Sequence, residues 1–359
     1  MISTWIYGAD LPTWALFTEL FVAGLCVVLA GSRFSRLADD LAQKLGIASG
    51  WIGLILLATV TSLPEVVTGG TATWIGNPGM AIAALFGSCS FNITILVLLN
   101  AVVRGGSVLR DVSGAHTLTS SFGLLLMGLA LFGVVLGEKF AASPRIAQVC
   151  EGFWSVAILA AYLGCMRLTY RYERRGASEA ASGGRARMGP ALGVQLGAVA
   201  LAIVVAAWWL AQIGDTLCVH EIALIGRPLG ETFVGAGFLA LATSLPEITT
   251  SIAAVRLGNI NLALGNIFGS NMFNIFVIPI IKGVSLVRGD PLLLTPGRFD
   301  TVHVLIAGLM AVMLTAIAVG GLTYKSRHKM LGRFGMGFDS VLIALVYVGG
   351  MVLLVMEAD

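Results

Sequence analysis

A block of 32 residues occurs twice in this chain, 182 positions apart. Residues 61–92 (TSLPEVVTGGTATWIGNPGMAIAALFGSCSFN) align without a gap with 243–274 (TSLPEITTSIAAVRLGNINLALGNIFGSNMFN), and 15 of the 32 positions are identical. Most identities are Thr, Ser, Pro, Glu, Gly and Asn. Chance similarity between two apolar segments would match Leu, Val and Ala instead. The chain is therefore read as two copies of one unit, and any fold it adopts must accommodate both.

Composition fixes the solvent of that fold. Of 359 residues, 57% are hydrophobic and 11% charged, against about a quarter charged in ordinary soluble domains. Such a chain cannot dress a water-facing surface, which excludes a soluble enzyme and a disordered regulator. A net charge of +3 gives no nucleic-acid footprint. No long alternation of polar and apolar residues suggests a membrane β-barrel. The fold class is an all-α polytopic membrane protein, its partners the lipid bilayer and small solutes.

Crossing a bilayer takes about 20 mostly apolar residues. That rule predicts ten transmembrane helices near 11–31, 47–74, 79–103, 115–138, 147–169, 190–213, 230–255, 258–283, 299–323 and 337–356. The amphipathic stretch 32–46 reads as an interfacial piece after the first span, with 214–229 as its counterpart. The polar, basic stretch 170–189 is the one clear linker. The chain then divides into 1–169 (five helices), the cytoplasmic linker 170–189 and 190–359 (five helices). Five is odd, so the second repeat enters inverted. Sixteen Lys and Arg fall in the loops on one side. Six (Lys139, Arg145, Arg227, Lys282, Arg288 and Arg298) fall on the other. The positive-inside rule makes the richer side cytoplasmic and puts both termini outside, periplasmic for a multi-pass protein of the inner cell membrane. No Lys or Arg precedes Arg33, so no cleavable signal peptide is expected.

The repeated residues carry the chemistry. Glu65 and Glu247 sit mid-span, where an ionised side chain costs roughly 2.5–3.5 kcal/mol or more. A bound cation between them would compensate; a protonated or helix-capped pair is the bland alternative. Pro64 and Pro246 lack an N–H, which frees carbonyls one turn back that must find a donor, water or a cation. Thr61 and Glu65 share a helix face at i and i+4, Thr68 extends it, and Thr243, Glu247 and Thr250 repeat it. Ser88 with Asn92, and Ser270 with Asn274, do the same on the following spans. Gly87 and Gly269 would let those helices approach closely. Every donor in the repeated set is oxygen, which selects Na⁺, Ca²⁺ or similar hard cations. Two negative charges balance one Ca²⁺, two Na⁺ or two H⁺. A site that must hold one set or the other couples their movements, as an antiporter requires. Inverted repeats with a site between interrupted helices are the architecture of secondary transporters.

At these motifs, TSLPE and GSxxFN in both copies, the sequence resembles the calcium/cation antiporter superfamily, in its sodium/calcium exchanger branch. The resemblance covers about a fifth of the chain closely and the five-plus-five layout loosely. It implies ten helices, a central site from spans two, three, seven and eight, and exchange of Ca²⁺ for Na⁺ by alternating access. It implies ligand roles for Glu65, Glu247, Ser88 and Ser270, for the carbonyls of Thr61 and Thr243, and for backbone carbonyls near Ala58 and Ala240. Asn92 and Asn274 complete the expected shell. Exchange of Ca²⁺ for H⁺ or another monovalent cation is the alternative, with a passive channel behind it. The sequence departs from the family pattern in three ways: Asn274 where relatives often have Asp, Ala84 where the second repeat has Asn266, and Val60 and Ala242 before the Thr in place of Gly. The first removes an acidic group, with consequences for a three-Na⁺ stoichiometry and for K⁺ co-transport.

The remaining polar residues read as bland. Cys26, Cys89, Cys150, Cys165 and Cys218 are scattered without a CxxC pair, as small core residues. Glu19, Glu151 and Asp215 read as carboxylates near span ends, and the four histidines as surface groups. No HExxH or GxSxG motif occurs, so no enzyme and no cofactor is expected beyond the transported ions.

Overall fold

The computed structural model describes residues 12–103, 108–109, 112–140, 142–180, 190–219, 243–290, 292–293, 301–324, 329–331 and 336–358. In chain order the helices are α1 (Thr13–Leu45), α2 (Ser49–Ile52), α3 (Ala58–Thr61), α4 (Leu63–Trp74), α5 (Pro78–Val102), α6 (Ala115–Lys139), α7 (Pro144–Ala180), α8 (Pro190–Val219), α9 (Leu245–Arg256), α10 (Ile260–Val287), α11 (Thr301–Tyr324) and α12 (Phe338–Ala358). Eight segments among the described residues are long and apolar enough to cross a membrane, and the apolar part of α12, Phe338–Leu354, is a shorter ninth. Their outer faces carry exposed Phe21, Phe153, Val194 and Leu345, as lipid contact demands. The protein is a multi-pass helical membrane protein. Of the expected span 230–255, residues 230–242 lie outside the described residues.

Three local expectations change. The stretch 32–46 is no separate interfacial piece but the end of α1, one continuous helix of 33 residues. Nothing in SRFSRLADDLAQKL breaks a helix, and its apolar side (Phe34, Leu37, Ala38, Leu41) is buried in the same cluster as Ala254 and Val255 of α9. The helix ends at Gly46, whose φ of 61° closes a left-handed cap that side chains disfavour. Likewise α7 runs on into the first half of the linker, to Ala180. Finally, the fold is not wholly α: β1 (Lys329–Leu331) pairs antiparallel with β2 (Met336–Gly337) between α11 and α12.

The second span is the most broken. Between α2 and α3 a π-helical turn, Gly53–Leu57, loosens the helix, a distortion that tends to mark functional sites. The turn lies closely against α10: a Cβ on Gly53 would stand 3.0 Å from Asn266 N and 3.1 Å from Gly265 Cα. The helix then stops at Ser62 (φ −93°, ψ 8°) and restarts as α4. Ser244 (φ −88°, ψ 4°) marks the matching point before α9. Pro64 and Pro246 are the second residues of the new helices, where a missing N–H costs nothing. Pro64 thus follows a break between two short helices and does not kink one long helix, whereas the chain before Thr243 lies outside the described residues.

Each restarted helix ends at a Gly-Asn corner. Gly76 (φ 99°) and Gly258 (φ 79°) take left-handed backbone. Asn77 Oδ1 then accepts from Met80 N at 3.3 Å, and Asn259 Oδ1 from Leu262 N at 3.0 Å, capping α5 and α10. The corners lie at opposite ends of α10. Arg288, just past its C-terminus, donates to Thr73 O near the first corner, whereas Asn259 sits at its N-terminus beside Ser49 and Asp39.

Two apolar clusters share α5 and α10. In one, Phe34, Leu96, Phe268 and Leu314 join α1, α5, α10 and α11. In the other, Phe86, Met127, Trp154 and Met272 join α5, α6, α7 and α10. Nineteen residues of α10 are buried, which makes it the central post of the molecule.

Candidate cation site

Glu65 and Glu247 each occupy the first turn of a restarted helix. There the partial positive charge of the N-terminus favours a carboxylate. Both are buried, and the Glu247 charge acts on Glu65. Ser62 Oγ donates to Glu247 Oε1 at 3.0 Å, across the two halves. Glu247 Oε2 and both Glu65 oxygens have no hydrogen-bond partner among the described residues. No described cationic side chain forms an ion pair with either; the buried pair Lys282–Glu151 lies elsewhere, between α10 and α7.

Other predicted residues gather around them. Thr61 Oγ1 lies 3.3 Å from Asn266 Oδ1, 3.5 Å from Ser270 Oγ and 3.5 Å from Ala58 O. Thr61 and Ser270 flank Glu247. Ser88 flanks Glu65, though without a hydrogen bond of ordinary geometry. The Ala58 carbonyl also receives Ser62 N at 3.1 Å, so it faces the break. Thr243 is buried at the matching break. Asn92 and Asn274 are buried with all four amide atoms lacking a described partner. Ala240 lies outside the described residues.

Two expected features differ. Thr68 and Thr250 do not extend the ligand stripe: their hydroxyls turn back onto Pro64 O (3.0 Å) and Pro246 O (2.7 Å), taking up carbonyls that the chain break leaves open. Close packing is also one-sided. A Cβ on Gly269 would meet Leu54 O at 2.7 Å and Ala58 Cβ at 2.8 Å, whereas no described atom lies within 4 Å of such a Cβ on Gly87.

Several residues escaped the sequence reading. Ser62 is identical in both repeats but was noticed only as part of the motif. Asn266 enters the sequence reading only as the residue that Ala84 replaces in the first repeat. It donates to Thr250 Oγ1 and Ser251 Oγ, both at 3.0 Å, and accepts from Thr61, tying α9 to α3. Lys282 was counted among exposed loop charges. It is buried against Glu151, which also receives Leu293 N at 2.8 Å. His116 is buried too, with Nε2 3.0 Å from Asn261 Oδ1.

The chemistry of this arrangement is plain. Buried polar atoms without partners are costly, and unpaired buried carboxylates more so. The unpartnered buried atoms of Glu65, Glu247, Asn92 and Asn274 include carboxylate and amide oxygens from both halves of the chain. Such a set suits a hard cation.

The comparisons agree with this picture. The inner membrane protein YrbG of Escherichia coli K12 is 30% identical over 290 residues, covering 79% of this chain and 82% of that protein. Sodium/calcium exchanger MaX1 of Methanosarcina acetivorans is 26% identical over 357 residues, covering 92% and 98%. A solved structure of the sodium-calcium exchanger NCX_Mj shares the fold with a TM-score of 0.66 at 18% identity, covering 94% of this chain and 97% of that one. The profile of the family described as sodium/calcium exchanger protein matches residues 16–170 and 195–356. The chain belongs to the sodium/calcium exchanger protein family.

Proposed function

We propose that the protein is a secondary-active antiporter that exchanges Ca²⁺ for Na⁺ by alternating access. The observation that carries this is the pair Glu65 and Glu247: one buried carboxylate from each half, the Glu247 charge acting on Glu65, with three of four oxygens open. Family membership and the names of MaX1 and NCX_Mj support the choice of ions.

Glu65 and Glu247 bear the charge. Asn92, Asn274, Ser88, Ser270 and Thr61, with Thr243 and the carbonyls near Ala58 and Ala240, complete an oxygen shell large enough for the six to eight ligands of Ca²⁺. Two carboxylates are neutralised by one Ca²⁺ or by two monovalent ions. Emptying the site would leave bare charge in a low-dielectric interior, so return of the protein requires the counter-ion. That is obligatory exchange.

The architecture in this reading is ten transmembrane helices in two inverted repeats, with both termini outside the inner membrane. Gly-Asn corners at opposite ends of α10 support the inversion. Because Asn274 is neutral where relatives often carry Asp, the site holds fewer monovalent ions than a three-acid site, and K⁺ has no dedicated carboxylate.

The test is uptake of radiolabelled calcium into proteoliposomes loaded with Na⁺. An outward Na⁺ gradient should drive accumulation above the calcium gradient. Uptake driven by a pH gradient alone, without Na⁺, would assign H⁺ as counter-ion. Flux that never exceeds calcium's own gradient would make the protein a channel and overturn the proposal.

A further inference from the structure

Besides Ala84 against Asn266, the two repeats differ at a second position beside the site. Where the second copy has Asn271, the first has Cys89, so one sulfur sits among the oxygens. Cys89 is fully buried, and its Sγ lies 3.6 Å from the Asn271 carbonyl oxygen. The Asn274 side chain lies beside the thiol, and the Glu65 charge acts on it. Independently of the cysteine, Glu65 and Asn274 are each more than nine-tenths buried, and all four of their side-chain oxygens and nitrogens lack a described partner.

We infer that the Cys89 thiol, the Asn271 carbonyl, the Asn274 amide oxygen and a Glu65 oxygen form a site for a thiophilic divalent cation of about calcium's size. This rests on the reading of Glu65 as a cation ligand. Oxygen alone discriminates poorly between hard and borderline divalent ions of one size, whereas a thiolate selects the soft ones. The thiolate is the ligating form. As the sulfur–metal bond forms, the S–H bond breaks and its proton leaves to water, so the incoming double charge is met by one thiolate and one carboxylate. Ca²⁺ gains nothing from the sulfur. A soft ion bound there therefore outlasts calcium and blocks exchange.

The probe is Cd²⁺, observed by cadmium NMR on the purified full-length protein. Sulfur ligation moves the cadmium resonance far downfield of the oxygen-only range. The expected result is one downfield resonance in the wild type, shifted into the oxygen range by Cys89→Ser and unmoved by Cys165→Ser. The same Cys89→Ser change should weaken Cd²⁺ inhibition of calcium uptake by more than the ~10-fold that loss of a supporting group costs a metal site. A wild-type resonance in the oxygen range overturns the inference by itself, whether or not the variant folds, and leaves the carboxylate reading standing. A downfield resonance that survives Cys89→Ser overturns it as well. Failure of calcium uptake in the wild type would instead count against the transport reading.

Discussion

Cys89 and Asn271 occupy equivalent positions of the two repeats, and they touch: the Cys89 Sγ donates to the Asn271 carbonyl at 3.6 Å. The two copies thus meet at equivalent residues. Glu65 and Glu247 are another equivalent pair, and the Glu247 charge acts on Glu65. The symmetry is imperfect in one informative place. Ser62 donates to Glu247, but the Oγ of its counterpart Ser244 has no described partner, and neither do the Glu65 oxygens. The two halves of the site are therefore in different local states.

That asymmetry predicts unequal serine variants. Ser62→Ala removes a buried hydrogen bond to Glu247, worth about 0.5–1.5 kcal/mol, and should lower the melting temperature in detergent. Ser244→Ala removes an unpaired buried hydroxyl and should be near neutral. Equal losses from thermal melts in ion-free buffer would contradict the assigned asymmetry.

Asn266 holds α9 and α3 together through Thr250, Ser251 and Thr61. Asn266→Ala should leave the carboxylates in place while loosening the Thr61 side of the shell. The expected effect is a calcium affinity reduced about tenfold or more, as for other supporting groups around metal ligands. Calorimetric titration reads it, and unchanged affinity would show that the amide only fills space.

Gly269 tests the close packing of α10. Gly269→Ala forces Leu54 and Ala58 apart and should cost about 1–3 kcal/mol as an overpacked core does. Gly128→Ala, at an exposed helical position with nothing within 4 Å, should stabilise slightly through helix propensity. Melting temperatures of the two variants should move in opposite directions.

The Lys282–Glu151 pair is buried on both sides. Removing one partner leaves an uncompensated charge, at about 3–5 kcal/mol, whereas replacing both with apolar residues is far milder. Lys282→Met alone should destabilise strongly, and Lys282→Met with Glu151→Leu should recover most of the loss. Additive effects in that cycle would show that the two groups do not depend on each other.

Much of this was legible beforehand because bilayer length and repeat register are sequence properties. The spans at α4 to α8, α10 and α11 followed from segment length and apolarity, and duplication singled out Thr61, Glu65, Ser270 and Glu247. Other features depend on partners that are distant in sequence. Whether Lys282 lies in a loop or in the core is decided by Glu151, 131 residues away. The π turn at Gly53 lies closely against α10, a contact its own residues do not announce. The prolines indicate interrupted helices, but a Pro within an apolar run does not reveal that the first helix has already ended at Thr61 and a new one begun at Leu63. The continuity of α1 through residues 32–46 was masked by a change of amphipathicity without a change of helix.

The central claim is that Glu65 and Glu247 jointly hold the transported cation. Calcium titration of the purified protein, with Na⁺ as competitor, tests it most directly. The account predicts one saturable calcium site in the wild type, displaced by Na⁺ and lost in both Glu65→Gln and Glu247→Gln. Undiminished calcium binding in either folded variant would contradict it.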